Sequence, residues 1–335
     1  MSRYVIALFL LLLPLQLAAQ PIVIAHRGAS AYLPEHTLAA AAMAHAMQAD
    51  YLELDVVMTR DGEAVVFHDL YLNAMTNVSD VFSNRARDDG RHYVADFSLA
   101  EIQTLKLHER RNTATGEQLF HSRFSAKHAI FKIPTLEAMI QLVLGLNQSS
   151  AHKIGLYVEI KAPRRHQANG LNIVSEVLNS LHQNGFESEH DKVFIQCFDA
   201  ETLRTIFNEN LTDIPLIQLL GENAWWPQTH TDYAFLKTPA GLAEVASYAA
   251  GIGPWLGQII LAREPNGATV FSSLVEDAKD KGLLVHPYTV RSDALPAGFI
   301  HLEPLLDALF GAQSVDGVFA DHPDEVRRYI DRHDY

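Results

Sequence analysis

Two carboxylates stand two residues apart in the otherwise apolar run "YLELDVV" (51–57), and a third lies in "YVEIK" (157–161). Alternate residues of a strand point to the same side, so Tyr51, Glu53 and Asp55 share one face while Leu52, Leu54 and Val56 share the other. The same reading puts Glu159 and Lys161 together, with Val158 and Ile160 opposite. Carboxylates on an apolar strand cost free energy unless something cationic neutralises them. Glu53, Asp55 and Glu159 make an oxygen-only ligand set suited to a hard cation such as Ca²⁺ or Mg²⁺. The plainer alternative is a set of buried ion pairs, Glu159 with Lys161 among them.

Histidines supply the second half of the chemistry. His26 ends the apolar run from Ile22, and His68 ends "EAVVFHD", where Asp69 follows it. Imidazole titrates near neutral pH, so two such rings flanking a reacting centre can serve as general base and general acid. Arg27 offers the bidentate donor that a phosphate needs, with a salt bridge to Glu35 as a compatible alternative, and Lys161 offers a point charge. His36 is read as part of a helix start, with Thr37 as N-cap, and receives no catalytic role.

These residues need a scaffold that brings strand ends together. β-rich runs begin at Ile22, Tyr51, Ile154, Lys192, Pro215, Ala249, Leu283 and Asp316, and helical patterns alternate with them. Eight such runs predict an α/β fold, a TIM (β/α)8 barrel whose active site lies at the carboxyl ends of its strands. A ninth run from Glu63 follows the turn pair Asp61-Gly62 and is read as an antiparallel flap beside the second strand. The alternative counts the flap in the barrel and leaves the glycine-rich run "AAGIGPW" out. The long, weakly periodic stretch from Tyr71 to Lys132 is read as an insertion after the second strand, over one end of the barrel.

The 335 residues carry a formal net charge of −14 with no basic stripe, which argues against a nucleic-acid partner. The opening "MSRYVIALFLLLLPLQLAAQ" places Arg3 before an apolar core and ends in small residues, the pattern of a cleaved export signal over 1–19 with the mature domain at 22–335. Pro14 and Gln16 interrupt that core, which falls short of the roughly 20 residues a membrane span needs, so no stable membrane insertion is expected after cleavage. The lone cysteine, Cys197, excludes both a lipid-anchored cleavage site and an intrachain disulfide. Nothing in the sequence specifies an oligomeric state.

Six segments, "HRGAS…PEHT", "ELDVVMTRDGEAVVFHD", "VEIKAP", "QCFD", "HPYTVRSD" and "GVFADHPD", together resemble the glycerophosphodiester phosphodiesterases, most closely the exported periplasmic type. The likeness runs from about Ile22 to Ile330 with the motifs in family order. It implies a barrel hydrolase that cuts small deacylated phospholipids, such as glycerophosphocholine and glycerophosphoethanolamine, into sn-glycerol 3-phosphate and an alcohol. It also implies His26 and His68 as the catalytic pair, Glu53, Asp55 and Glu159 as metal ligands, and Arg27 and Lys161 as substrate contacts. The metal it implies is Ca²⁺, with Mg²⁺ as the alternative, and the compartment is the periplasm. Many family members have Asn at the position of His36. Tyr288 and Arg291 stand either in a head-group pocket or in barrel-end packing, and the pair Trp225-Trp226 in a substrate wall or in a docking patch. The patch would suit a rival reading, a phosphodiesterase of intact lipids on the same barrel. A non-catalytic binding protein is the other rival, and retention of both histidines and all three carboxylates argues against it.

Overall fold

The computed structural model describes residues 20–225 and 230–333; the expected export signal at 1–19 and Trp226 lie outside the described residues. The β-rich runs become β1 (Ile22–Ala25), β2 (Tyr51–Met58), β3 (Ala64–Val66), β4 (Gly155–Ile160), β5 (Val193–Cys197), β6 (Leu216–Leu220) and β7 (Gly251–Pro254). After them come β8 (Ile260–Arg263), β9 (Thr269–Phe271), β10 (Leu284–Val285) and β11 (Gly317–Ala320). Eight of these pair in parallel in the order β10-β7-β6-β5-β4-β2-β1-β11, a nearly closed α/β barrel. The glycine-rich run forms β7 inside the barrel. β3 pairs antiparallel with β2 as a flap, and β8 with β9 form a separate hairpin.

The run from Leu283, expected as one continuous strand, pairs in the sheet only over Leu284–Val285. Pro287 has no N–H to give a ladder, so the chain beyond it meets β11 through single contacts. Phe319 donates to the Pro287 carbonyl at 3.0 Å and Val290 donates to that of Phe319 at 2.8 Å, and these bonds close the barrel.

Helices Leu38–Ala46, Leu136–Ser149, Ile173–Gln183, Ala200–Asn208 and Pro239–Val245 surround the sheet. Thr37, Thr135, Asn172, Asp199 and Thr238 cap them, each side chain accepting the backbone N–H three residues on. Strand residues Leu52, Leu54, Val56, Leu156, Val158 and Ile160 turn outward into the main core against these helices. Ile24, Tyr157, Ile217 and Phe319 turn inward and fill the barrel, with Tyr51 and Phe194 packed on them. Both faces of a parallel sheet are thus covered, which is why its strands read as nearly unbroken apolar runs.

Between β3 and the helix at Leu136 the chain forms short helices at Val78–Val81 and Leu99–Thr104 with two 3₁₀ turns. Leu72, Met75, Phe97, Ile102, Leu105 and Leu107 build a second core there, joined to Val57, Val65 and Phe67 of β2 and the flap. The segment is therefore tied by packing to the strand that carries Glu53 and Asp55.

His166, in the helix Pro163–Ala168, is buried with neither ring nitrogen hydrogen-bonded. Burial alone holds its pKa down to about 4. The folded chain therefore keeps this ring neutral where the unfolded chain, near 6.5, takes up a proton. Its contribution to stability is full above that unfolded value and is lost as pH falls toward the folded one. A His166→Leu variant should lose less thermal stability than the parent between about pH 7 and 4.5; identical slopes in a melting series would refute this assignment.

Candidate active site

The register of β2, β4 and β5 sets Asp55 beside Glu159 and Glu159 beside Gln196. Glu53, Asp55 and Glu159 are buried, and one oxygen from each lies within 4.8 Å of the others. Lys161 Nζ stands 2.9 Å from Asp55 Oδ1 and 3.1 Å from Glu159 Oε1. The Arg27 backbone N–H donates to Glu53 Oε2 at 2.8 Å, and Gln196 Nε2 donates to Glu53 Oε1 at 3.3 Å. Arg27 Nε is 3.3 Å from Asp55 Oδ2, and its Nη1 donates to Glu35 Oε1 at 3.0 Å.

Positive charge is short in this cluster. Burial, reinforced by Asp55, pushes the Glu53 carboxyl well above its usual range, with Glu159 adding to the rise. Burial also pushes Glu159 up, although Lys161 opposes it. For Asp55, burial works in the same direction but is outweighed by Lys161, His68, His36 and Arg27, so it stays well below the usual range. Three converging carboxylates with too few cations and an all-oxygen donor set fit a hard divalent cation.

β1 delivers His26 and Arg27 through a tight turn. Arg27 has φ 59° and Gly28 has φ 84°. A Cβ on Gly28 would lie 2.8 Å from the Ala40 carbonyl carbon, so glycine is required both for the backbone angle and for the close approach to the first helix. That turn aims the Arg27 N–H at Glu53.

The two histidines have matching partners. His26 Nδ1 is 2.7 Å from Asp321 Oδ1, just past β11, and His68 Nδ1 is 2.6 Å from Asp69 Oδ1. Burial, then the Arg27 charge, lowers His26 to about 4 despite Asp321. Burial, then Arg27 and Lys161, lowers His68 to about 3. Asp321 and Asp69 are held ionised against burial: Arg291 and His26 lead on Asp321, and His68 and Arg110 on Asp69. An ionised carboxylate at Nδ1 fixes the proton there and leaves Nε2 with its lone pair.

A cavity of about 250 Å³ gathers His26, Arg27, Glu53, Asp55 and Glu159. Phe198, Trp225, Trp255, Tyr288 and Arg291 line it as well, which places Tyr288 and Arg291 at the pocket rather than in barrel-end packing and Trp225 in its wall. His68 and Lys161 lie outside that lining, with His68 in electrostatic reach of Arg27, Lys161 and Asp55. A larger hollow of about 790 Å³ sits elsewhere, on the outer surface by helices Ile173–Gln183 and Ala200–Asn208, and none of the predicted site residues lines it.

The reading of His36 as a helix-start residue holds, since Thr37 caps the helix that follows it. The structure adds a contact: His36 adopts φ 62° and its buried Nε2 lies 2.8 Å from Asp55 Oδ2. The left-handed turn at His36 directs the ring inward, which a cap pattern does not encode. Sequence reasoning also missed Asp321, Gln196, Arg110 and Arg123. The first two follow apolar residues at strand ends, a signal present in "GVFADH" and "FIQCF"; the two arginines lie in a stretch without periodicity.

With this geometry in place, comparison with known proteins is decisive. The sequence model of the glycerophosphoryl diester phosphodiesterase family matches residues 26–325. The chain belongs to this family. A glycerophosphodiester phosphodiesterase from Haemophilus influenzae is 40% identical, over 92% of this chain and 89% of its own length. One from Treponema pallidum is 32% identical, over 92% of this chain and 91% of its own. The fold is also that of an Oleispira antarctica phosphodiesterase solved with its product sn-glycerol-3-phosphate, with TM-score 0.63, 21% identity and coverage of 93% and 97%. This family member is accordingly an enzyme, a phosphoric diester hydrolase, and the reading as a non-catalytic binding protein gives way.

Gly28→Ala should lower kcat/KM for phosphodiester hydrolysis by roughly 10–100-fold, because it displaces His26 and Arg27 together. Steady-state kinetics alongside a melting curve would check it, and wild-type turnover in a folded variant would count against the turn's role.

Proposed function

We propose that this enzyme hydrolyses small deacylated glycerophosphodiesters, glycerophosphocholine and glycerophosphoethanolamine among them, to sn-glycerol 3-phosphate and the free alcohol. The observation that carries the reading is the convergence of three buried carboxylates, Arg27 and His26 on one cavity of about 250 Å³, room for a small polar substrate. The solved phosphodiesterase of the same fold that holds sn-glycerol-3-phosphate adds support.

In this reading Glu53, Asp55 and Glu159 hold a divalent cation. Ca²⁺ is preferred to Mg²⁺ because a dedicated carboxylate cage suits the larger, flexibly coordinated ion, whereas Mg²⁺ tends to keep several waters. When bound, the cation supplies Lewis-acid polarisation and charge neutralisation at a phosphoryl oxygen. Arg27, pinned by Glu35 and Asp55, presents preorganised positive charge to the phosphate. Lys161, bonded to Asp55 and Glu159, balances the same cluster and is the second substrate contact. The Nε2 lone pairs of His26 and His68 serve proton transfer: one ring takes the nucleophile's proton while the other, once protonated, gives one to the leaving alkoxide. Approach of an anionic phosphodiester raises the affinity of a neighbouring ring for that proton. Phe198, Trp225, Trp255 and Tyr288 give the organic part of the substrate an apolar wall.

We further read residues 1–19 as a signal that delivers the enzyme to the periplasm. Among the described residues no helix is long and apolar enough to cross a membrane.

Enzyme stripped with chelator should lose glycerol 3-phosphate release from glycerophosphocholine and regain it with Ca²⁺ more fully than with Mg²⁺. Phosphatidylcholine vesicles should be turned over poorly; their preferential hydrolysis, or full activity in chelator, would sink the reading. Fractionation of cells expressing the whole chain should recover a shortened protein in the periplasm, and an intact cytoplasmic product would refute the export assignment.

A further inference from the structure

The carboxylates that hold the two histidines are themselves held alike. Asp69 uses Oδ1 for His68, and its Oδ2 accepts from Arg110 Nη1 at 2.7 Å. Asp321 uses Oδ1 for His26, and its Oδ2 accepts from Arg123 Nη2 at 2.7 Å. Neither arginine comes from a barrel strand; both lie in the 71–132 segment that sequence reading treats as an insertion. Their side chains are only 16% and 5% exposed, unlike ordinary surface arginines.

We propose that Arg110 and Arg123 are positioning residues for hydrolysis, each locking the carboxylate that orients one histidine, so that the insertion completes the acid–base pair. A carboxylate bonded through one oxygen to a ring N–H and through the other to a guanidinium cannot rotate without losing a charge-assisted bond. Its ring is then fixed both in orientation and in tautomer. Arginine suits the task because its planar fork reaches two carboxylates at once. Arg110 bridges Asp69 and Glu35, the latter at 2.6 Å, and Arg123 bridges Asp321 and Asp293 through 2.7, 2.8 and 3.0 Å bonds. The two supports are unequal. Arg291 Nε also reaches Asp321 Oδ2 at 2.8 Å, so that carboxylate keeps a guanidinium when Arg123 is lost. Among the described residues, the guanidinium bonded to Asp69 is that of Arg110.

The proposal rests on His26 and His68 being the acid–base pair, and the test separates the two ideas. Using the metal-loaded full-length enzyme and glycerophosphocholine, Arg110→Met should lower kcat roughly 10–100-fold, and Arg123→Met should lower it less. In a double-mutant cycle, adding Arg110→Met to Asp69→Asn should change kcat less than about twofold, whereas adding it to Asp321→Asn should exact its full cost. The double variant also removes the unpaired carboxylate that could destabilise the single one. Arg87→Met, which breaks an insertion ion pair with Asp96 that involves neither histidine nor its carboxylate, should leave kcat unchanged. Equal losses in both backgrounds, or a loss from Arg87→Met matching that from Arg110→Met, would overturn the positioning role. His26→Ala and His68→Ala provide the separation: if either retains full turnover, the acid–base reading itself fails, whatever the arginine variants do.

Discussion

Three carboxylates crowded at one end of a parallel barrel set the terms for everything around them. Their repulsion and burial are unfavourable, and the local cations do not balance them. Lys161 is divided between Asp55 and Glu159, and Arg27 between Asp55 and Glu35. The remaining deficit shows as Glu53 and Glu159 driven toward their neutral forms. A site built this way is unfavourable as an ion-pair cluster and well suited to receiving a hard cation. The ion pair between Glu159 and Lys161 is present, yet it neutralises only part of the charge.

The fold supplies the rigidity that such a cluster demands. Glu53, Asp55, Glu159 and Gln196 sit on three adjacent strands whose outward faces are fully packed against helices. Below them Tyr157, Phe194 and Phe319 form an aromatic filling; Tyr157 meets Phe194 and Phe319 at centroid distances of 5.0 Å. The carboxylates therefore rest on a floor that excludes water from one side, and substrate can approach only from the open end. Around the rim, charge is organised outward in chains: histidine to aspartate to arginine on both sides, with Glu35 linking Arg110 back to Arg27.

Much of this was legible in the residues alone, and the reasons differ. Period-two alternation placed Glu53 and Asp55 on one face because strand geometry leaves no alternative, and the inward orientation of Tyr51 and Tyr157 follows the same rule. All eight barrel strands were visible because parallel strands covered on both faces are largely apolar, and the flap beside the second because the turn pair Asp61-Gly62 announced its hairpin. The contact of His36 with Asp55 was not legible because it depends on one left-handed backbone angle, which residue type and cap pattern do not specify. The interruption of the strand at Pro287 was local chemistry that the apolar run obscured.

The sequence by itself determined which side chains could do chemistry and that they would share strand ends, since residue type and spacing are local properties. Only the tertiary structure decided their partners. Asp321 lies 295 positions from His26, and Arg123 lies 198 from Asp321. No spacing rule links residues so far apart. Their meeting depends on the parallel pairing of β1 with β11 and on how the 71–132 segment brings Arg110 and Arg123 to the site, which are consequences of the whole core rather than of any one stretch.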